Sequence, residues 1–152
     1  MKVVNFLIMK PKFCSNKTKL LSYEDLPEYR KQQEYDFIKY GYLPVPRTWK
    51  EVFRLPFSIH TETINIWSHA VGSLLFLAFL MDTLLDMYRH DFWISVFYDS
   101  AILGTFAFSS MYHWFRICSK SCHDNFFCLD MIGIELNAYL SPIRLMYVFW
   151  YG

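Results

Sequence analysis

Glycine and proline are scarce in this sequence, with only 5 glycines and 6 prolines among 152 residues. Hydrophobic residues make up 54% of the chain and aromatic residues 20%. Because so many apolar side chains can be buried, this composition excludes an intrinsically disordered chain. The length predicts a single domain.

An excess of charge of one sign is also missing. The formal net charge is +1, which gives no reason to expect nucleic acid as a partner. The total hides an uneven distribution, since eleven of the fifteen lysines and arginines precede Ile64 and four follow it. We therefore expect a polar amino-terminal region at residues 1–59 and a membrane domain at residues 60–152.

Cysteines are few, and their spacing is not that of a secreted disulfide scaffold, so we interpret them as reduced thiols. No small-residue cleavage site follows the apolar run VVNFLIM near the amino terminus, so we do not expect this run to be a secretory signal peptide. Cys118, Cys122, His123 and Cys128 form a cluster of soft ligands, but C-x3-C-H lacks the paired spacing of zinc sites. The remaining cysteine is Cys14.

Long apolar runs, in contrast, are abundant after residue 60. Three of them extend from about Ile64 to Leu85, Phe92 to Phe115 and Phe126 to Tyr151. About 20 helical residues cross a hydrocarbon core of about 30 Å, so each run predicts a transmembrane helix. The expected fold class is an all-α integral membrane helical bundle. Before these runs, residues 48–59 predict an amphipathic helix, either on the membrane surface or packed against the protein.

The charges in the loops predict the orientation of these helices. The amino-terminal region is rich in lysine and arginine, whereas the first connection carries three aspartates and the single Arg89. The second connection contains Arg116 and Lys120. The positive-inside rule then predicts a cytoplasmic amino terminus and a cytoplasmic second connection.

Several polar residues stand within or beside the apolar runs. Ser109 and His113 are four residues apart and share one helix face. Asp130 lies about one turn into the third run, and a connection of about ten residues predicts that the two helices are antiparallel neighbours. Because an intramembrane aspartate costs about 2.5 to 3.5 kcal/mol, the pair His113 and Asp130 is a candidate site. It is either an interhelical hydrogen bond or part of a zinc site, with Ser109 nearby.

A catalytic zinc site usually takes three protein ligands and a water. The sequence contains no two histidines three or four residues apart, so no helical histidine pair is available to complete such a site. His69 is the only other histidine within a predicted span. For the remaining polar residues of the third run, Glu135, Asn137 and Arg144, internal pairing is favoured over a polar cavity or contacts with further helices.

Three sequence blocks carry a resemblance to a known family. They are HTETINIWSHAVG at residues 60–72, S-x3-H at Ser109 and His113, and LDMIGI at residues 129–134. In this order, with Leu26-Pro27 and Gly41-Tyr42 upstream, they resemble the progestin and adipoQ receptor (PAQR) family, which includes the adiponectin receptors. The sequence departs from the family's usual residues at Leu43, Thr61 and Met131.

The resemblance implies seven transmembrane helices, a cytoplasmic amino terminus and an intramembrane zinc ion near the inner leaflet. It implies that His113 is a zinc ligand and that Ser109 and Asp130 lie close to the metal. The other two ligands are expected from an H-x3-H motif on the last helix, and this sequence does not contain that motif. The chain is therefore expected to be a shortened form of the family.

The function expected from the resemblance is that of a multi-pass membrane receptor for a lipid, steroid or protein hormone. One alternative is a zinc-dependent intramembrane lipid amide hydrolase, similar to a ceramidase, with Asp130 and Ser109 as catalytic residues in the full-length form. Another is a non-catalytic membrane protein that associates with further helices as a homo- or hetero-oligomer, because unpaired polar groups facing lipid are costly.

Overall fold

A computed structural model of the protein describes residues 20–32 and 34–151. Cys14 and the apolar run at residues 3–9 lie outside the described residues. The described residues form two short strands and five α-helices. In chain order the elements are β1 (Leu21–Ser22), α1 (Glu28–Lys31), β2 (Tyr40–Tyr42), α2 (Trp49–Arg54), α3 (Thr63–Leu85), α4 (Phe92–Phe115) and α5 (Lys120–Tyr151).

The polar segment before α3 is organised around Tyr42. Strands β1 and β2 pair in antiparallel fashion, with Leu21 opposite Tyr42. Tyr42 is fully buried, and its hydroxyl donates a hydrogen bond to the carbonyl of Ile38 at 3.0 Å. Gly41 has a φ of 107°, which residues with a side chain rarely adopt. Its carbonyl accepts from the Thr61 amide at 3.0 Å, so β2 is tied to the start of α3.

Helix α2 corresponds to the predicted amphipathic helix but is shorter. The Thr48 hydroxyl accepts from the Glu51 amide at 3.3 Å, which satisfies an unpaired donor of the first turn. The helix ends at Arg54 and continues as a 3-10 turn over Leu55–Phe57. Val52 is fully buried while Phe53 is exposed, so the segment has both a packed side and an uncovered apolar side.

Helices α3, α4 and α5 are each long and apolar enough to cross a membrane. Helix α4 packs along both α3 and α5 and is therefore the middle helix of the three. The all-α integral membrane architecture predicted from the apolar runs is confirmed, and the predicted bounds of α3 and α4 agree with the observed ones within one residue.

The start of α5 differs from the prediction. The helix begins at Lys120 rather than near Phe126, so the connection from α4 is much shorter than the expected ten residues. Ser119 explains the early start, because its hydroxyl accepts from the Cys122 amide at 3.1 Å and its carbonyl accepts from the His123 amide at 2.9 Å. Asp130 consequently lies almost three turns into α5 rather than one.

Candidate functional site

Glu62, directly before α3, carries the most densely bonded carboxylate at this end of the helices. Its Oε1 accepts from Nη1 of Arg116 at 2.9 Å. Its Oε2 lies 2.6 Å from Nδ1 of His113 and accepts from the side-chain Nδ2 of Asn65 at 3.0 Å. Burial raises the pKa of Glu62, but the His113 hydrogen bond, the Arg116 charge and Asn65 together bring this pKa from 4.5 down to about 2. The carboxylate is therefore ionised at neutral pH.

Arg116 extends these contacts to the amino-terminal segment. Its Nη2 donates to Oε1 of Glu34 at 3.1 Å, and the same oxygen lies 3.8 Å from Nη2 of Arg30. Arg30 Nη1 donates to the Leu43 carbonyl at 2.6 Å. We call Arg30, Glu34, Arg116 and Glu62 the buried ion-pair network, since every one of these side chains is less than one-tenth exposed.

The alternation of sign explains how this network can be buried. An isolated buried charge costs several kcal/mol, and only close partners of opposite charge with good geometry offset that penalty. Burial raises the pKa of Glu34, against the opposing charge of Arg116, and burial lowers the pKa of Arg30, against that of Glu34. The charge of Arg116 thus favours the ionised form of Glu34 against burial, whereas the guanidinium of Arg30 stays charged. The network thus holds the segment before α3 against the end of α4.

His113 is oriented by this network. An ionised carboxylate is an acceptor only, so the contact with Glu62 assigns the proton of the neutral ring to Nδ1 and leaves Nε2 as an acceptor. The ring of His113 stands nearly perpendicular to that of His69, with centroids 5.5 Å apart. We expected His113 and Asp130 to form either an interhelical hydrogen bond or part of a zinc site, and the hydrogen bond found for the His113 ring among the described residues runs to Glu62.

Asp130 is nevertheless buried close to this position. The residue is 8% exposed, and its Oδ1 has no hydrogen-bond partner among the described residues. The same holds for Nδ1 of His69 and Oγ of Ser73, and His69 interacts electrostatically with both His113 and Asp130. A buried polar atom left without a partner costs about 1 to 3 kcal/mol, so these atoms indicate a place for a polar group between the helices.

Ser109 is buried on the same face of α4 as His113, one turn earlier. Among the described residues, no group of three or more histidines, cysteines or acidic residues is placed to hold a metal ion. His113, with its free Nε2, and Asp130, with its unpartnered oxygen, fit part of a zinc donor set. This part is smaller than the three protein ligands that catalytic zinc takes.

The cysteine and histidine cluster after α4 does not converge on one point. Cys118 and Cys122 are buried together against Val52. His123 turns elsewhere, with its Nε2 3.0 Å from the Tyr112 hydroxyl. Cys128 is exposed.

A second polar cluster lies at the other end of α4. Arg144 donates from Nη1 to the Ser95 hydroxyl at 2.6 Å, and its guanidinium lies 4.9 Å from the Tyr98 ring centroid. The Asn137 side-chain oxygen accepts from Ser141 at 2.8 Å. Internal pairing is thus confirmed for Arg144 and Asn137, whereas Glu135 is exposed.

Sequence reasoning missed the buried ion-pair network. Glu62 belongs to the HTETINIW block, but no role was assigned to it, and Arg116 was considered only as a loop charge. Glu34 follows Arg30 by four residues, which is a local pair, but nothing local indicates its closer contact with Arg116, which lies 82 residues away in the chain. Only the position of Glu62 within a recognisable block could have singled it out.

Comparison with known proteins agrees with this architecture. Residues 57–152 match the model of the haemolysin-III-related family. The progestin and adipoQ receptor-like protein 1 of Caenorhabditis elegans is 34% identical over 146 residues, which is 88% of this chain and 31% of that protein. Human membrane progestin receptor alpha is 30% identical over 122 residues, or 73% of this chain and 33% of that protein.

A yeast relative, the ADIPOR-like receptor IZH2 of Saccharomyces cerevisiae, is 28% identical over 136 residues, which is 85% of this chain and 42% of its own length. The chain thus spans about a third of the length of the curated relatives it matches. The family match covers more than half of the chain and includes α3, α4, α5, Glu62 and His113. This integral membrane protein therefore belongs to the haemolysin-III-related family, among the progestin and adipoQ receptor-like proteins.

Proposed function

We propose that the protein acts as a membrane receptor of the PAQR type, which recognises an apolar ligand through a polar group held between the helices. The observation that carries this proposal is the unpartnered, buried Oδ1 of Asp130. A carboxylate oxygen accepts a hydrogen bond from a hydroxyl or amide of a ligand. His69, which has an unpartnered Nδ1 in the same region, can donate or accept according to its tautomer.

The chemistry of the surroundings favours a lipid or steroid ligand over a water-soluble one. Apolar residues dominate α3, α4 and α5, so a ligand that reaches Asp130 through the bilayer must itself be mostly apolar. Two of the relatives reported above carry the name of progestin or adipoQ receptors, which supports a steroid as the first probe.

Binding of radiolabelled progesterone to membranes that contain the full native product tests this proposal. Because a hydrogen bond to a carboxylate contributes about 1.5 to 3 kcal/mol, Asp130→Ala, which removes the acceptor oxygens, should weaken binding at least about tenfold. Asp86→Ala, at an exposed aspartate after α3, is the matched control and should bind as the unchanged protein does. Equal binding by the Asp130 and Asp86 variants would contradict the role of Asp130.

The resemblance also predicts how large the receptor is. Seven helices are expected, and the described residues contain three that can cross a membrane. The intact mass of the endogenous protein decides whether four more spans are present. A mass well above 18.3 kDa, with a terminal H-x3-H motif, supports the receptor, whereas a mass of 18.3 kDa supports a non-catalytic subunit that associates with other membrane helices.

A second candidate function is zinc-dependent hydrolysis of a lipid amide, and it is favoured by the orientation of His113. Its Nδ1 is occupied by Glu62, so Nε2 would hold the metal, which is the arrangement of many histidine ligands paired with a carboxylate. Zinc, when bound, supplies a water that is activated at neutral pH. Asp130 would accept a proton through its unpartnered Oδ1, and Ser109 would contact the substrate beside it.

The zinc content of the purified native product, together with its hydrolysis of ceramide, tests this candidate. His113→Ala should lose the metal and the hydrolysis together. His90→Ala replaces an exposed histidine in the first connection and should keep both. Zinc retained by the His113 variant, or hydrolysis that persists without it, would exclude the hydrolase.

A further inference from the structure

Within residues 20–32 and 34–151, the ring of His113 has one hydrogen-bond partner, which determines which ring nitrogen carries the proton. Oε2 of Glu62 accepts a hydrogen bond from Nδ1 of His113, with 2.6 Å between the two atoms. In a neutral imidazole, protonation of one nitrogen leaves the other as the acceptor. The two ring nitrogens lie on opposite sides of the ring, so Nε2 points away from Glu62. Without Glu62, either nitrogen could carry the proton and the ring could rotate.

Glu62 is itself held by more than His113. Arg116 and Asn65 donate to its two oxygens at 2.9 and 3.0 Å, so the carboxylate cannot rotate without losing three hydrogen bonds. Arg116 follows His113 by three residues, and side chains at that spacing lie on the same side of a helix. Two side chains on one face at the end of α4 thus hydrogen-bond to the two oxygens of Glu62.

The hydrogen bond from Arg116 to Glu62 depends in turn on the amino-terminal segment. Glu34 accepts from the second guanidinium nitrogen of Arg116 at 3.1 Å, and Arg30 joins Glu34 to the Leu43 carbonyl. The side chains of Glu34 and Arg116 are 7% and 9% exposed. Water therefore cannot replace Glu34 as the partner of Arg116 unless the segment moves away. The position of the Arg116 guanidinium is thus coupled to the position of the amino-terminal segment.

We propose that Glu62 is a positioning residue for His113, and that Glu34, acting through Arg116, makes the orientation of this imidazole depend on docking of the amino-terminal segment. The consequence for ligand or zinc binding rests on the proposed functions, but the orientation itself does not. A movement of the segment, caused by a partner on the side of the membrane where it lies, would then alter the site between the helices.

The test is the 15N spectrum of histidine-labelled full-length protein in lipid nanodiscs. At a pH at which the ring is neutral, the unchanged protein should show His113 as a single Nδ1–H tautomer. Glu62→Ala should give a mixture of tautomers, whereas Glu62→Gln, whose amide oxygen still accepts from Nδ1, should restore the single form. Glu34→Ala should shift the populations in the same direction by a smaller amount, and Glu28→Ala, at an exposed glutamate of α1, should leave the spectrum unchanged.

A second measurement on the unchanged protein keeps the test decisive if Glu62→Ala does not fold. The 13C–15N dipolar coupling between the Glu62 carboxylate carbon and His113 Nδ1 should correspond to a direct hydrogen bond. A missing coupling, or an Nδ1–H tautomer that survives in Glu62→Ala, would overturn the positioning role.

Zinc titration of the same samples separates this inference from the hydrolase. Loss of a partner that orients a ligating histidine typically lowers metal affinity about 10- to 100-fold, and we expect that loss in Glu62→Ala with recovery in Glu62→Gln. If neither the variants nor the unchanged protein bind zinc while the tautomers respond as stated, the hydrolase fails and the positioning role stands. If the tautomer does not respond to the variants while zinc binding is normal, the positioning role fails and the hydrolase stands.

Discussion

The hydroxyl of Thr105 on α4 donates a hydrogen bond to the carbonyl of Gly133 on α5 at 2.8 Å. The two backbones approach so closely here that a Cβ added at Gly133 would lie 2.9 Å from the Cα of Thr105. Small residues allow this kind of approach between membrane helices, where close packing and hydrogen bonds replace hydrophobic burial as the source of stability. The contact lies one turn from both Ser109 and Asp130 and therefore sets how their helices face each other.

Gly133→Ala should destabilise the protein by roughly 1 to 3 kcal/mol, because the contact is with rigid backbone and one helix must move. Thermal unfolding in detergent micelles measures the change. Gly104→Ala provides the control, since its added Cβ would lie 3.8 Å from the Phe108 ring, an ordinary contact, and alanine is the better helix former. Equal stability of the two variants would contradict the close approach of α4 and α5.

Arg116→Met should be severely destabilising, because it removes the cation between two buried carboxylates. Breaking a buried ion pair by removal of one partner costs about 3 to 5 kcal/mol, and here Glu34 and Glu62 both lose a donor. The free energy of unfolding, measured by denaturant titration in micelles, should fall by an amount in this range.

Arg54→Met, at an exposed arginine that ends α2, is the comparison for the loss of one positive charge. It should leave stability nearly unchanged. Arg116→Lys should recover only part of the loss, because a point charge cannot bridge two carboxylates as a planar guanidinium does. Full recovery with lysine would mean that charge alone, and not the two-sided geometry, explains the network.

The sequence predicts the three long helices well and their internal contacts poorly. The bounds of α3 and α4 follow from apolar runs that end at charged or aspartate-rich connections, and hydropathy detects such runs directly. The start of α5 was wrong because its first turns carry polar residues. Ser119 begins that helix by capping, which hydropathy does not detect.

Tertiary pairings were out of reach for a different reason. His113 was identified as a site residue, but its partner Glu62 lies 51 residues away and belongs to a different helix start. No periodicity links two such positions, so a sequence indicates which polar residues are costly in a membrane without indicating which of them meet. The burial of Asp130 was expected from the cost of an aspartate in the membrane. Only the structure shows that its Oδ1 lacks a hydrogen-bond partner among the described residues.

Stability should depend on pH through Asp91, which lies just before α4. The hydrogen bond from Arg89 holds its pKa down, against the effect of burial and with help from Ser95, at about 2 instead of 3.8. A lowered carboxylate pKa stabilises the fold above the unfolded value and loses that contribution as pH falls toward the folded value. After allowance for solvent screening, about 1 kcal/mol should disappear between pH 4 and pH 2.

Comparison of the unchanged protein with Asp91→Asn isolates this contribution from the other carboxylates. The difference in unfolding free energy between the two should shrink as the pH falls through that window, while the exposed Asp86→Asn variant should track the unchanged protein throughout. A difference between Asp91→Asn and the unchanged protein that stays constant from pH 6 to pH 2 would show that Asp91 is not stabilised by ionisation.

The distribution of charges predicts that the connection before α4 and the connection after it lie on opposite sides of the membrane, with the latter in the cytoplasm. Tyr88 is 97% exposed in the first connection, and Lys120 is exposed at the start of α5. In sealed vesicles whose cytoplasmic face points outward, a membrane-impermeant maleimide should modify Lys120→Cys and reach Tyr88→Cys only after permeabilisation. Labelling above that of the native cysteines is the quantity to measure. The reverse pattern would invert the orientation and place the amino-terminal segment, with Glu34, on the other side of the membrane, so that the partner able to displace it would be sought there instead.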